Sequence, residues 1–480
     1  GSEMCIRDSS GAGYTNGAGS SEYKMLSYFA RVNYTLMDRY LFEVNMRADA
    51  SSRFHKDHRW GYFPSFSAGW RMSEESFMKD IEWINNLKIR ASYGTLGNIN
   101  NVGNYDYFQN YSSGNHYNFS DSPVIGIGES KPANETLGWE KVALTDIGLD
   151  FDIFNGLLGV TADYYIKNTS DILLGYNVPT ETGITAAPSQ NIGKVKNTGF
   201  ELALNHRNKI GAVNYSIGAN IATNKNKITN LGGSDNIIQT SSYIVKYILK
   251  KGESIGSFYG FKTDGLYTQA DIDAGHYYTL SGVVPNAGDI KFVPQRDIEY
   301  KQEITDEDRT ILGKDVPDFT YGVNLSLQYK GFEFSMFGQG ISGTKVAFDV
   351  YGVHPFYHGQ DSPRKYHLKR WTEENPNPHA AYPRIYSASS VHTTYNRNFS
   401  DYHLFDSDYF RFKTLSLGYT VPSATVKNWG LQSLKVYVTG ENLFTVRADK
   451  KMEDFDPETA GGVIYTLGTK SVAFGVNISF

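Results

Sequence analysis

The 480-residue sequence contains one cysteine, Cys5, so no disulfide can form within the chain. It has no run of about 18 apolar residues, which excludes helical membrane spans but not a crossing made of strands. Basic residues are not in excess: 46 Lys and Arg stand against 51 Asp and Glu, a net charge of −5. That balance excludes the strongly basic footprint of a nucleic-acid-binding protein. The start lacks the basic and then apolar segments of a signal peptide, and the first residue is not Met. Residues 1–10 share no pattern with the rest of the chain and read as a tag or a sequence-assembly scar. The expectation is a fragment whose beginning is missing, with residues 11–480 as its native part. Helical periodicity is almost absent, and only Ser76 to Asn85 suggests a short helical turn. There is no phosphate-binding loop, dinucleotide fingerprint or Gly-x-Ser-x-Gly elbow, so nothing points to an enzyme.

What the sequence has in quantity is aromatic residues, 14% of the chain, and alternation with a period of two. Val472, Phe474, Val476, Ile478 and Phe480 alternate with Ala473, Gly475, Asn477 and Ser479. Tyr321, Val323, Leu325, Leu327 and Tyr329 alternate in the same way with Gly322, Asn324, Ser326 and Gln328. Side chains of a strand point to opposite faces in turn, so each segment is a strand with one apolar and one polar or small face. The pattern predicts about thirteen strands, near 26–36, 40–49, 61–73, 86–96, 138–152, 157–168, 196–207, 212–224, 319–330, 332–342, 408–421, 433–443 and 469–480. In the segment from Phe410 to Val421 the apolar phase shifts near Lys413, which predicts a bulge.

The connections sort into two kinds. Met37-Asp38-Arg39, Phe154-Asn155-Gly156, Asn208 to Gly211 and Lys330-Gly331 are tight turns rich in Gly, Asn and Asp. Long polar stretches lie between them, near 97–137, 169–195, 225–318, 344–407 and 444–468. A soluble all-β propeller or sandwich would show the same alternation but has no reason to sort its connections. A transmembrane antiparallel β-barrel has one: short periplasmic turns and long extracellular loops. Strands of about 10–13 residues match a tilted crossing. Tyr40, Tyr62, Tyr321, Tyr329, Phe332, Tyr409 and Tyr419 near strand ends fit aromatic girdles. An odd strand count implies an open, incomplete barrel, because bacterial single-chain barrels close with an even number.

Several long motifs resemble one family. They are Ser27 to Phe54 (SYFARVNYTLMDRYLFEVNMRADASSRF), Trp60 to Met78 (WGYFPSFSAGWRMSEESFM), Leu87 to Asn98 (LKIRASYGTLGN) and Trp139 to Phe151 (WEKVALTDIGLDF). Asp318 to Gly340, Asp408 to Pro422 and Val436 to Thr445 continue the series. In this order the motifs resemble the SusC/RagA family of TonB-linked outer-membrane proteins. The resemblance implies that this chain supplies about the last 13–14 strands of a 22-stranded barrel in the outer membrane of a Gram-negative bacterium. It also implies an N-terminal plug and TonB box that the sequence does not contain. The partners implied are a SusD-like surface lipoprotein acting as a lid, and TonB-ExbB-ExbD reached through the missing region. The function implied is import of oligosaccharides or oligopeptides. Two alternatives remain: a TonB-dependent receptor for ferric siderophores or other metal chelates, and a soluble all-β carbohydrate-binding protein.

Site residues are harder to place. Family members often carry a calcium-like acidic run after Gly-Asp-Ile. Here Gly288-Asp289-Ile290 and Thr305 to Arg309 are present, but Lys291 to Ile304 lacks the D-x-[DN]-x-[DN]-G spacing, so no metal or other cofactor is expected. His354 and His358 have helical zinc spacing, but Pro355 lies between them and no third ligand is evident. Tyr351, Phe356, Tyr357, Tyr366 and Trp371 sit in the same stretch among His354, His358 and basic residues. They are candidates for sugar stacking, for contact with the lid, or for packing within the loop. Asp146, Asp150 and Asp163 read as solvated lumen residues or plug contacts rather than an acid/base pair.

Overall fold

The computed structural model describes residues 21–119, 122–175, 189–240, 244–348, 354–356, 363–458 and 468–480. Thirteen long strands follow one another in a single antiparallel sheet. The first half comprises β1 (Met25–Leu36), β2 (Tyr40–Ser51), β3 (Trp60–Arg71), β4 (Ile84–Asn98), β5 (Glu140–Ile153), β6 (Leu158–Gly175) and β7 (Ser189–Ile210). The rest are β8 (Val213–Thr223), β9 (Phe319–Tyr329), β10 (Phe332–Ser342), β11 (Tyr409–Thr420), β12 (Ser433–Arg447) and β13 (Ser471–Ser479). Strand order in space is strand order in sequence, an up-and-down wall. A fourteenth strand, Lys225–Leu231, turns back to pair with Gly193–Thr198 of β7. Among the described residues β1 and β13 are the two edges and do not pair with each other, so the wall is an open part of a barrel.

Register shows why the alternation is there. Tyr215, Leu327, Phe334, Leu417, Val438 and Phe474 form one continuous row across six strands. The adjoining row, on the other face, is Ser216, Ser326, Ser335, Ser416, Thr439 and Ala473. The first face is apolar and uncovered: Phe474 is 84% exposed. A water-soluble sheet would cover so large an apolar surface; in a membrane, lipid covers it. Rings gather at both margins of this face. Tyr28, Trp60 and Tyr62 stack in sequence at the long-loop end, with neighbouring centroids 6.1 and 6.4 Å apart. Phe332 and Tyr419 meet at 4.6 Å at the short-turn end.

The short connections all lie at one end. Their positive backbone angles are what permit two- and three-residue reversals: Met37 (φ 52°), Asp38 (φ 55°), Asn155 (φ 56°), Gly211 (φ 59°) and Lys330 (φ 46°). At this end Glu75 gathers the Tyr40 hydroxyl at 2.7 Å, Trp70 Nε1 at 3.0 Å and Arg39 Nη1 at 3.0 Å. The helical turn expected over Ser76 to Asn85 is not there: a short 3-10 turn spans Met72–Glu74, and the residues after it form non-helical turns. The N–H groups of Met78, Ile81 and Ile84 instead bond back to Glu75, Met78 and Ile81, a run of separate turns, and pairing with β5 begins at Ile84.

The bulge near Lys413 is present. Phe337 and Gly338 of β10 pair with Thr414 and Phe412, leaving Lys413 unmatched. This inverts the parity of β11, which corrects one sequence expectation. Tyr409 does not join a girdle; it is buried and its hydroxyl donates to Glu458 at 2.9 Å. Phe410 takes the outward place and stacks with Tyr321 at 6.1 Å.

The packed apolar interior lies in the long connections rather than in the sheet. Phe261, Leu266, Ile290, Phe292, Trp371 and Tyr395 belong to the largest cluster, formed by residues between β8 and β11. A second joins Val346, Phe348, Tyr366 and Phe405 to Met452 and Phe455, which lie beyond β12. A third joins Val245, Phe258 and Leu312 to Phe399 and Leu404. The long loops are thus a folded cap on the outer end of the wall.

Candidate functional site

The polar face of the wall carries ordered charge. The three carboxylates singled out in the sequence converge on one guanidinium: Arg90 lies 2.7 Å from Asp163, 3.2 Å from Asp150 and 3.5 Å from Asp146. Gly148 makes room for it, since a Cβ there would lie 2.5 Å from the Arg90 Cζ. The trio shares Arg90, with Lys88 3.8 Å from Asp150 as a second cation, rather than setting an acid and a base across a cleft. Farther up the same face, a concavity of about 820 Å³ is lined by Glu43, Asn45, Arg47, Asp49 and Ser65, with Phe63 and Trp139 at its outer end. Polar groups over a small aromatic cluster make a surface able to hold a hydroxyl-rich or amide-rich cargo.

A buried arginine helps fasten the cap to the wall. Arg411 donates to Asp456 at 2.6 Å, Glu458 at 2.7 Å and Thr445 Oγ1 at 2.9 Å. These bonds tie the β12–β13 connection to the inner side of β11. Lys413, placed inward by the bulge, reaches Glu458 as well, at 2.5 Å.

The Gly288-Asp289-Ile290 segment is part of the cap interior. Asp289 is fully buried and accepts hydrogen bonds from Asn396 Nδ2 and the Asn286 N–H, each at 2.8 Å, with His392 Nδ1 2.7 Å away. The acidic run after it is organised by an arginine. Arg296 donates to Asp308 through Nη2 at 2.7 Å and Nε at 3.1 Å, and to Glu307 at 3.1 Å. Asp308 also accepts the N–H groups of Gln295, Arg296 and Thr305. Among the described residues no group of three or more His, Cys, Asp or Glu is arranged to hold a metal ion. Burial pushes the Asp308 carboxyl up, but the hydrogen bonds from Arg296 and the three N–H groups outweigh it and hold the group down at about 2.

Asp308 therefore contributes stability that is complete above its unfolded value of about 4 and is lost as pH falls through about 2. Arg296→Ala should loosen this segment, because it removes the charged donor around which Asp308 and Glu307 gather. Hydrogen exchange across 288–310 should rise in the variant at neutral pH, and unchanged protection would refute the assignment.

The sequence candidates part company here. Tyr351, Tyr357 and His358 lie outside the described residues. Tyr366 and Trp371 are buried, the first in the second cap cluster and the second in the largest. His354 is buried too, its Nδ1 3.0 Å from the Tyr382 hydroxyl. Phe356 alone among the described four is open, 46% exposed and with φ 61°. Packing within the cap thus occupies most of the surface that a ligand or lid would use on His354, Tyr366 and Trp371.

Sequence reading missed the companions of His354. His367 and His403 are equally buried, with the His403 ring 5.3 Å from that of His354 and the His367 ring 4.6 Å from that of Tyr382. Nothing in their spacing signals this, because only the folded cap brings them together. Burial lowers the His403 pKa to about 4, and burial with the neighbouring His403 lowers that of His354. A histidine held neutral contributes stability above its unfolded value of about 6.5 and loses it progressively as pH falls to about 4. Protease sensitivity of the cap should therefore rise between pH 6.5 and 4 while the wall stays intact. A pH-independent cap would contradict this.

A family model described as TonB dependent receptor-like, beta-barrel matches residues 6–443. The chain belongs to the TonB-dependent receptor β-barrel family. TonB-dependent receptor P3 of Formosa agariphila is 32% identical over 431 residues, covering 88% of this chain and 41% of that protein. TonB-dependent receptor SusC of Bacteroides thetaiotaomicron is 29% identical over 467 residues, covering 95% of this chain and 43% of SusC. The solved RagAB peptide transporter superposes with a TM-score of 0.75 at 25% identity, over 95% of this chain and 47% of that one. The SusC/RagA resemblance read in the sequence and the outer-membrane location both stand. The chain spans less than half the length of the curated relatives it matches.

Proposed function

We propose that this chain forms the C-terminal barrel wall and outer loop cap of a SusC/RagA-type importer that takes up oligosaccharides or oligopeptides. In this reading a SusD-like lipoprotein closes over the cap, and TonB-ExbB-ExbD drives opening of a plug supplied by the rest of the protein. The observation that carries it is the pairing of a lipid-facing wall with a large folded cap on the outer end only, in a chain similar to SusC and to RagAB. Residues 1–10 are proposed to be foreign to the protein. Of the seven aromatic and histidine candidates, Tyr351, Phe356, Tyr357 and His358 remain proposed contacts for ligand or lid.

The test is uptake by cells carrying the whole receptor. Labelled oligosaccharide or oligopeptide should accumulate only with TonB and with the neighbouring lid lipoprotein present, and the lipoprotein should co-purify from outer membranes. Uptake of ferric siderophore without any lid would overturn the reading in favour of a metal-chelate receptor.

A further inference from the structure

The cap contains a second, separate concavity with a marked charge. Two 3-10 turns face each other there: Lys365–Lys369, between β10 and β11, and Lys450–Asp454, after β12. The Tyr366 N–H donates to Asp454 at 3.2 Å and holds the turns in place. Between them lies a cavity of about 410 Å³. Lys365, Lys369, Lys450 and Lys451 surround it, against Glu453 and Asp454, an excess of two positive charges in a chain whose net charge is −5. Lys451 rests over the Tyr402 ring at 5.2 Å. The ammonium groups of Lys365, Lys369 and Lys450 form no ion pair or hydrogen bond among the described residues. The floor is apolar: Leu368, 76% exposed, Ala381 and the edge of Tyr366, extended by the lysine stems.

We propose that this cavity is an anion-selecting subsite for a carboxylate- or sulfate-bearing oligosaccharide. The volume falls within the range of small-ligand sites, about 300–1,000 Å³. Three uncommitted ammonium groups around an apolar floor suit a sugar ring that lays its apolar face on Leu368 and offers acid groups at its rim. An acidic peptide suits it less. Neither turn offers an open strand edge for backbone pairing, and a peptide would set its amide groups against an apolar floor without partners. The cavity lies within the loop cap at the long-loop end, and the proposal rests on the import reading above.

The experiment compares the full-length receptor with its Lys365→Gln/Lys369→Gln/Lys450→Gln variant, and with the triple Lys→Arg variant that keeps the charge. The probes are oligogalacturonate, a sulfated galactan oligosaccharide, a neutral galactan oligosaccharide of equal length, and oligoglutamate. Anionic saccharide binding should weaken about tenfold in the Gln variant, survive in the Arg variant and fall with salt, while neutral saccharide binding stays the same. The two anionic probes separate carboxylate from sulfate preference. The proposal is overturned if the Gln variant binds both anionic saccharides as the parent does, or if oligoglutamate alone responds. If cells import the neutral oligosaccharide but the receptor binds neither anionic one, this subsite falls and the import reading survives. If no saccharide or peptide enters in a TonB-dependent way, the import reading itself falls.

Discussion

Arg411→Ala should cost about 3–5 kcal/mol and release the β12–β13 connection from the wall, the usual penalty for removing one partner of a buried ion pair. The Arg411 side chain is only 5% exposed, and its carboxylate partners are 16% and 24% exposed. Among the described residues its removal would leave Asp456 with no ion pair, only the charge of Arg447 nearby, and Glu458 with Lys413 alone. The consequences extend beyond the connection, because Met452 and Phe455 complete the cluster that packs Phe348, Tyr366 and Phe405. Limited proteolysis in outer membranes should cut residues 448–458 in the variant and spare them in the parent. Arg411→Lys should restore the protection only in part, since a single ammonium cannot serve both carboxylates through a planar fork. Equal resistance to protease in parent and Ala variant would show that the arginine does not anchor the cap.

The second large effect concerns the wall. Leu325→Arg should destabilise the assembled protein by about 2–4 kcal/mol, because a charge near the middle of the lipid-facing band has no partner there. Leu325 lies mid-strand between Ile217 of β8 and Met336 of β10. Ser326→Arg, one residue on, faces the polar lumen row and should change stability by no more than about 0.5 kcal/mol. Urea unfolding in lipid vesicles, followed by heat-modifiable gel migration, reads both. Similar costs at the two positions would contradict the two-faced wall.

The wall was legible in the sequence because its environment imposes a period of two, lipid on one side and lumen on the other. All thirteen strands fall where the alternation placed them, and even the bulge at Lys413 left its mark as a break in phase. Strand ends were less legible. β6 and β7 run on to Gly175 and start at Ser189, past the reach of the alternating pattern, because backbone pairing continues there while Ile172 and Leu174 pack against Val195, Ile228 and Leu231 instead of alternating. The cap was not legible. Its contacts join residues far apart in sequence, such as Thr263 with Asp401 and Ile290 with Asn396, and no local period records them. The same lack of a local record hid His367 and His403, and left open whether Trp371 and Tyr366 meet a ligand, meet the lid or pack within the loop. The acidic run before Arg309 lacked calcium spacing, and the structure supplies the physical counterpart: Arg296 provides the positive charge around which Asp308 and Glu307 gather.

The measurement closest to the central claim is cysteine accessibility along β9. Cys5 is the only cysteine in these 480 residues, so residues 11–480 add no background, and any cysteine elsewhere in the whole receptor is first replaced by Ser. Single cysteines from Tyr321 to Gln328 would be introduced into the whole receptor and probed in intact outer membranes. Positions 321, 323, 325 and 327 should resist a water-soluble charged thiol reagent and react with a lipid-soluble one. Positions 324, 326 and 328 should react from water. An alternating pattern is the result expected of a wall between lipid and lumen, and uniform reactivity from water on both faces would contradict it.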